Sequence, residues 1–259
     1  FVFLRDSGGD GMYLFGPTGA GKSSVVQQVA ARLGWPVWRV CAHQRMDLAD
    51  LVGTYVLAKE DGATVSRWEA GPLVKAMKSG GIFLLDEVDL LDPGVAVGLN
   101  SVLEGAGVQT PEGWVSPHPL FRFVATANTN GLGDETARYQ GAQVQNLASL
   151  DRFWVVRCDY PKPEAEAKLL LSFVSLEMAF LMAKLAAEVR GLFVKGELSA
   201  PISTRALIRW ARIYRGLGGA PVGNRLEYAL KRAVLNRLPH EEADGVLKIA
   251  QAVFGGEWR

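Results

Sequence analysis

Only two cysteines, Cys41 and Cys158, occur among 259 residues. That is too few for the disulfide framework of a small secreted scaffold. Both lie in runs that read as strands, so reduced thiols in the core are expected. A surplus of either charge is also missing: 28 lysines and arginines face 27 aspartates and glutamates, a formal net charge of +1. Such a balance argues against binding to nucleic acid or a membrane surface through overall charge and leaves room only for a local basic patch. Long uninterrupted apolar runs are absent too. The most apolar stretch, 169–193, is broken by Glu177, Lys184, Glu188 and Arg190, too often for a membrane span. No secretory leader is expected, and a cytoplasmic location is. The chain opens on Phe1 rather than methionine, and a segment ahead of it is an expectation. Internal repeats and low-complexity tracts are lacking. What is present is apolar: 49% of the residues, enough to bury a sizeable core in one large domain or two modest ones.

The chain is organised around Gly16-Pro17-Thr18-Gly19-Ala20-Gly21-Lys22-Ser23-Ser24. Through Ser23 this fits the phosphate-binding pattern G-x-x-x-x-G-K-[ST]. Its context fits as well. Met12 to Phe15 reads as a short buried strand, and Val25 to Leu33 as a helix stopped by Gly34. The glycines let the backbone curl so that successive N–H groups point inward, and the helix N-terminus adds partial positive charge. Lys22 is then expected to reach the outer phosphates of a nucleoside triphosphate, and the Ser23 hydroxyl to ligate Mg2+.

Along the chain, 36–41 reads as a second strand. Residues 54–71 alternate around Asp61-Gly62, a hairpin signature. Pro72 to Ser79 reads as a helix ended by Gly80-Gly81. The run 82–87 is continuously apolar up to Asp86-Glu87, as in a strand covered on both faces. Asp92-Pro93 opens a helix to about Glu104. A second hairpin follows near 106–116, then strands over 120–128 and 153–158. Strands alternating with helices predict an α/β, three-layer αβα domain with a parallel five-stranded sheet over 1–160. Tyr160-Pro161-Lys162-Pro163 marks a linker, after which only helical periodicity remains. A smaller, all-helical domain is expected over 161–259, beginning with one long helix, 164–190.

Polar residues at strand ends narrow the chemistry, because open parallel sheets place their ligands there. Asp86 stands where a carboxylate would hold Mg2+ together with Ser23, and adjacent Glu87 is free to activate water. Asn128, ending the fourth strand, is on its own either a turn former or a group that orients that water. Cys41 and His43 lack a third neighbouring ligand, so a side-chain metal site there is not expected. Arg152 and Arg205, taken alone, read as surface or ion-paired residues.

In order, Gly16–Ser23, Asp86-Glu87, Ala125-Thr126-Ala127-Asn128, Leu150-Asp151-Arg152-Phe153 and Ser203-Thr204-Arg205 resemble the AAA+ ATPases of the MoxR type. Asp50-Leu51-Val52-Gly53, Pro117-His118-Pro119 and 127–134 are similar to the CobS-like branch, the cobaltochelatase ATPase subunits. The pre-sensor hairpin is shorter than in that branch, and Val88-Asp89 replaces Tyr-Asp. The resemblance spans nearly the whole chain. It implies an AAA+ P-loop domain with a helical lid, ATP and Mg2+ as cofactors, and a water-positioning role for Asn128. It further implies that Arg152 is an arginine finger reaching a neighbouring subunit's site, with Arg138 in reserve. Arg205 would be a second sensor on the γ-phosphate of its own subunit. A finger in trans requires a homo-oligomer, and the resemblance implies a hexameric ring whose pore the hairpins line. Tyr55, Trp68 and Trp114 would then either pack beneath their hairpins or touch a partner.

The expected function is ATP hydrolysis by a ring subunit that remodels or activates a protein partner, with a von Willebrand A domain protein as cofactor protein. An alternative is the motor subunit of a cobalt or magnesium chelatase-type complex. A DNA-translocating motor and a nucleotide-gated scaffold with little turnover are the rivals from other classes. Near-neutral charge disfavours the first, and the full catalytic set disfavours the second. A membrane partner is not expected.

Overall fold

The apolar runs at 11–15, 37–41, 81–86, 121–127 and 153–157 form one parallel sheet in the computed structural model, which describes residues 2–60, 63–133, 139 and 141–258. In chain order the strands are β1 (Gly11–Phe15), β2 (Val37–Cys41), β3 (Gly53–Glu60), β4 (Ala63–Ala70), β5 (Gly81–Asp86), β6 (Val108–Thr110), β7 (Gly113–Val115), β8 (Phe121–Ala127) and β9 (Phe153–Arg157). The sheet runs β2-β5-β8-β1-β9, while β3–β4 and β6–β7 are separate antiparallel hairpins. Asp61 and Gly62, expected at the first hairpin tip, lie outside the described residues.

The chain divides into two compact units, Phe1–Pro17 with Lys22–Cys158, and Thr18–Gly21 with Asp159–Arg259. In the first unit, the central strands β5 and β8 are buried throughout. Their side chains alternate between two cores, as a pleat with both faces covered demands. Phe83, Leu85, Phe123 and Tyr13 join Leu73 and Met77 of the helix Pro72–Ser79 on one face. Ile82, Leu84, Val124 and Leu14 join Val26 and Ala30 of the helix Lys22–Leu33 on the other. Each Val, Leu, Ile, Phe or Met among these contributes about 1.5–3 kcal/mol by leaving water. β9 is an edge strand, with Trp154, Val155 and Val156 all exposed.

The first hairpin closes at its neck. Gly71 N–H donates to Val52 O at 2.7 Å, and Gly53 pairs with Ala70. A Cβ on Gly71 would come within 2.4 Å of Leu51 O, so only glycine fits where the chain returns.

The second unit packs Met182, Leu185 and Val189 of the helix Leu176–Val194 against Leu207 and Trp210 of the helix Thr204–Gly216. Trp210 is fully buried and its Nε1 donates to Leu226 O at 3.1 Å, so its one polar atom is satisfied. An ion pair lies inside this unit: Arg190 donates two parallel bonds to Glu166, at 2.8 and 2.9 Å. The same carboxylate accepts from the Thr204 hydroxyl, and Arg190 Nε donates to Ile202 O at 2.7 Å.

Three expectations are corrected. The long helix over 164–190 is two, Pro163–Leu170 and Leu176–Val194. Ser175 starts the second by accepting from Met178 N–H, a side-chain cap that apolar periodicity conceals. The helix expected from 92 to 104 breaks at Leu99 into Pro93–Gly98 and Asn100–Leu103. The cysteines are thiols outside any disulfide, but they are not core: Cys41 is exposed at the end of β2 and Cys158 is half-buried beyond β9. Among the described residues no helix is long and apolar enough to cross a membrane.

Candidate active site

The phosphate-loop residues Gly16–Ser24 follow β1, with Lys22 and Ser23 opening the helix Lys22–Leu33. Gly16, Gly19 and Gly21 all have positive φ, at 150°, 70° and 100°. At Gly21 an added Cβ would meet nothing within 4 Å. Lys22 is buried, and its ammonium donates to Gly16 O at 2.8 Å, Pro17 O at 3.1 Å and Asn128 Oδ1 at 3.1 Å. A cation is thereby held at the loop and tied to the end of β8.

Parallel pairing of β5 with β8 sets Leu85 beside Ala125, so Asp86 and Glu87 emerge next to Thr126 and Ala127. The Ser23 hydroxyl donates to Asp86 Oδ1 at 2.5 Å. Thr126 Oγ1 donates to the same oxygen, and Arg39 binds the other, its Nε at 3.0 Å from Oδ2. Burial pushes the Asp86 carboxyl up, but the bonds from Ser23, Thr126 and Arg39 outweigh it and hold the pKa below the usual carboxylate value. Asp86 is therefore ionised at neutral pH. A hydroxyl and a carboxylate converging in this way are hard oxygen donors of the kind Mg2+ takes.

Glu87 is exposed and is the one non-glycine residue with a positive φ among those described, at φ 59° and ψ 40°. A left-handed backbone costs a side-chain-bearing residue about 1–2 kcal/mol. Such strain persists where surroundings over-determine it, most often at functional sites. Here Glu87 N–H donates to Thr126 Oγ1 at 3.3 Å, and its carbonyl accepts from Leu90 N–H at 2.9 Å. Its Oε2 accepts from the Cys41 thiol at 3.6 Å. Burial, then the Glu87 charge, pushes that thiol up, so Cys41 stays protonated.

Arg152 is not part of this cluster. Gly11 N–H donates to Arg152 O at 3.0 Å, so Arg152 sits where β1 and β9 begin, while the cluster sits where strands end. Along a five-residue strand that separation is roughly 16 Å. Its guanidinium is instead paired with Glu104, Nε to Oε1 at 2.7 Å. Arg205 belongs to the second unit, exposed in the first turn of the helix Thr204–Gly216, with its backbone N–H 3.4 Å from Gly19 O. Arg138 lies outside the described residues. Of the hairpin aromatics Trp68 packs on the first unit's core, whereas Tyr55 and Trp114 are exposed.

Comparison with known proteins decides the family. Residues 11–142 match the AAA domain of the dynein-related subfamily, and 167–252 match the CbbQ/NirQ/NorQ C-terminal domain. The chain is 33% identical over 250 residues to the aerobic cobaltochelatase subunit CobS of a Sinorhizobium species, covering 92% of this chain and 74% of that protein. It is 31% identical over 252 residues to protein NorQ of Paracoccus denitrificans, covering 93% and 86%. The chain belongs to the MoxR-type AAA+ ATPases. In fold, this MoxR-type ATPase aligns with the crystal structure of a putative ATPase from Cytophaga hutchinsonii at a TM-score of 0.50 and 18% identity, covering 98% of this chain and 86% of that one.

Three contributors to the MoxR-type site were not singled out from sequence: Arg39, the Thr126 hydroxyl and Asp89. Asp89 is 1% exposed, and its Oδ2 accepts from Asn128 N–H at 2.8 Å and Thr129 N–H at 3.2 Å. Burial raises its pKa, although those two bonds and the Lys22 charge oppose the rise. A carboxylate two positions after Glu87, in a segment from 82 to 91 that is apolar apart from Asp86, Glu87 and Asp89, was the available signal for Asp89. Arg39 offered a weaker one, a cation in the middle of an apolar strand.

Proposed function

We propose that this MoxR-type protein hydrolyses ATP by attack of water on the γ-phosphate, with Mg2+ as the metal cofactor. The observation that carries this reading is the meeting of Lys22, Ser23, Asp86, Glu87 and Asn128 at the strand ends, through the Ser23–Asp86 and Lys22–Asn128 bonds. Residues 16–24 would cradle the phosphates with backbone N–H groups. Ser23 and Asp86 would hold the metal, which when bound supplies charge neutralisation on the β- and γ-oxygens. The Lys22 ammonium, already fixed by three acceptors, would face the same oxygens on exchanging some of those bonds. Glu87 is the exposed carboxylate left to take the proton of the attacking water, and the Asn128 amide would align that water. Arg205 would contact the γ-phosphate of its own subunit.

Arg152 is assigned to a neighbouring subunit's site. Its place at the edge of its own sheet, away from the cluster, supports a contact in trans, which a ring, hexameric in this reading, would supply. The ring would remodel or activate a protein partner together with a von Willebrand A domain protein, the exposed Tyr55 and Trp114 offering contact points. Service as a chelatase motor is the second reading, favoured by the likeness to CobS over 92% of the chain.

The test is Glu87→Gln. It should bind ATP as the parent does and lose turnover by about 100-fold or more, the range expected for a general base. Parent-like hydrolysis would remove Glu87 from the mechanism. The ATP-held variant then serves as bait in native lysate. Recovery of a von Willebrand A protein with a large chelatase-like subunit supports the metal-insertion reading, and recovery of an unrelated enzyme supports an activase.

A further inference from the structure

Two side chains, Thr126 and Asp89, cross between the turn after β5 and the end of β8 in opposite directions. Thr126 stands on β8, and its hydroxyl serves both acidic residues of the turn, donating to Asp86 Oδ1 and accepting from Glu87 N–H. A hydroxyl has one proton to give and two lone pairs, so this use nearly exhausts it. Asp89 stands on the turn, and one of its carboxylate oxygens takes the N–H groups of Asn128 and Thr129. Gln143 N–H donates to Asp89 O at 2.7 Å, holding the turn from a third side. Tyr13 OH donates to Thr129 O at 3.2 Å and pins the same end of β8 to β1.

The cost of this arrangement is visible. Asp89 is almost wholly buried, and among the described residues its second oxygen, Oδ1, has no hydrogen-bond partner, nor has the buried Thr129 Oγ1. A buried polar atom left unpaired costs about 1–3 kcal/mol. Glu87 adds the strain of its left-handed backbone. An apolar residue at 89 would avoid the first cost, and a right-handed turn the second. Asp89 and Glu87 both belong to the short 3-10 turn Val88–Leu90, which Glu87 caps, and lie outside β5 and β8. What both do is fix Glu87 and Asn128 relative to each other.

We propose that Thr126 and Asp89 are positioning residues that fasten the Glu87 turn to the Asn128 end of β8, so that the two groups acting on water move as one body. This rests on the assignment of Glu87 and Asn128 given above. Because the two links run in opposite directions, neither loop can shift until both break. Lys22 reaches the clasp through Asn128 Oδ1, so a change in what Lys22 binds is carried to the backbone that presents Glu87.

The experiment uses the full chain, with Glu87→Gln as reference. Thr126→Val keeps the shape and removes the hydroxyl, while Thr126→Ser keeps it. Asp89→Ala removes the acceptor, while Asp89→Asn retains an oxygen for both N–H groups. Nucleotide affinity is read with a fluorescent ATP analogue, turnover by phosphate release and folding by melting. Thr126→Val and Asp89→Ala should bind nucleotide within about 3-fold of the parent and lose about 30-fold or more in kcat, as misplaced catalytic groups do. Thr126→Ser and Asp89→Asn should recover most of that loss. If Glu87→Gln is inactive while Thr126→Val and Asp89→Ala turn over like the parent, the clasp is wrong and the base assignment stands. Losses that track melting temperature, without recovery in Thr126→Ser and Asp89→Asn, also overturn it. A fully active Glu87→Gln instead removes the reading on which the clasp rests.

Discussion

Removing Glu166 should destabilise the helical unit far more than removing the whole ion pair. The carboxylate is fully buried and takes both terminal nitrogens of Arg190, whose side chain is 10% exposed. Glu166→Ala strands a guanidinium in the interior, with only Ile202 O and the face of Tyr160, 4.0 Å below, to receive it among the described residues. Breaking a buried pair from one side costs about 3–5 kcal/mol. Against total stabilities of about 5–15 kcal/mol, that is a large share. At about 4–8 °C per kcal/mol for a unit of some 100 residues, the melting point should fall by at least ~12 °C. The double variant Glu166→Leu with Arg190→Met leaves no unpaired charge and should lie within about 1–2 kcal/mol of the parent. Urea unfolding of both variants, followed by circular dichroism, measures the difference. The reasoning is refuted if the single variant loses under about 1 kcal/mol, or if the double loses more than the single.

Three further outcomes are expected. Gly19→Ala forces a left-handed residue whose Cβ would lie 2.7 Å from Ser203 Cβ and Oγ, so nucleotide affinity should drop by about 10-fold or more; unchanged binding by calorimetry would show that the loop yields. Burial raises the Asp89 pKa, and an acid raised on folding stabilises below its unfolded pKa and loses that contribution as pH rises through the folded one. Measured from about pH 4 upward, stability relative to Asp89→Asn should therefore fall in the parent; a flat difference curve would count against the raised pKa. Glu87→Asn places a residue that tolerates the left-handed region at φ 59°, and should gain about 0.5–1 kcal/mol in stability while losing turnover. A loss of stability would mean that the Glu87 backbone is not strained.

What was legible in the sequence was whatever is local to it. The loop 16–24 and the pair Asp86-Glu87 announce themselves because each acts within a few consecutive residues. The buried strands announce themselves because a strand covered on both faces has to be apolar throughout. Thr126 was seen only as a letter in a motif, because its partners Asp86 and Glu87 lie 40 and 39 positions away. Asp89 and Arg39 are held at similar remove. Which hydroxyl meets which carboxylate follows from strand order, β5 beside β8, and order is not written in any one segment. The break at 171–175 escaped notice for the opposite reason. A single serine cap decides it, and the apolar residues on either side keep their helical spacing across the gap.

The sealed neck of the first hairpin bears on how such a protein can diverge. Val52 and Gly71 are already joined by a hydrogen bond, so the chain between them is a hairpin of the first unit that sets out and returns at a single point, with Trp68 near its base packed on the core. Lengthening, shortening or exchanging the part of that hairpin beyond Trp68 leaves β5 and the residues at its end where they are. A lineage can therefore try new tips one after another while the machinery beneath goes on working, and variation at the tips need not be selected together with variation at the site.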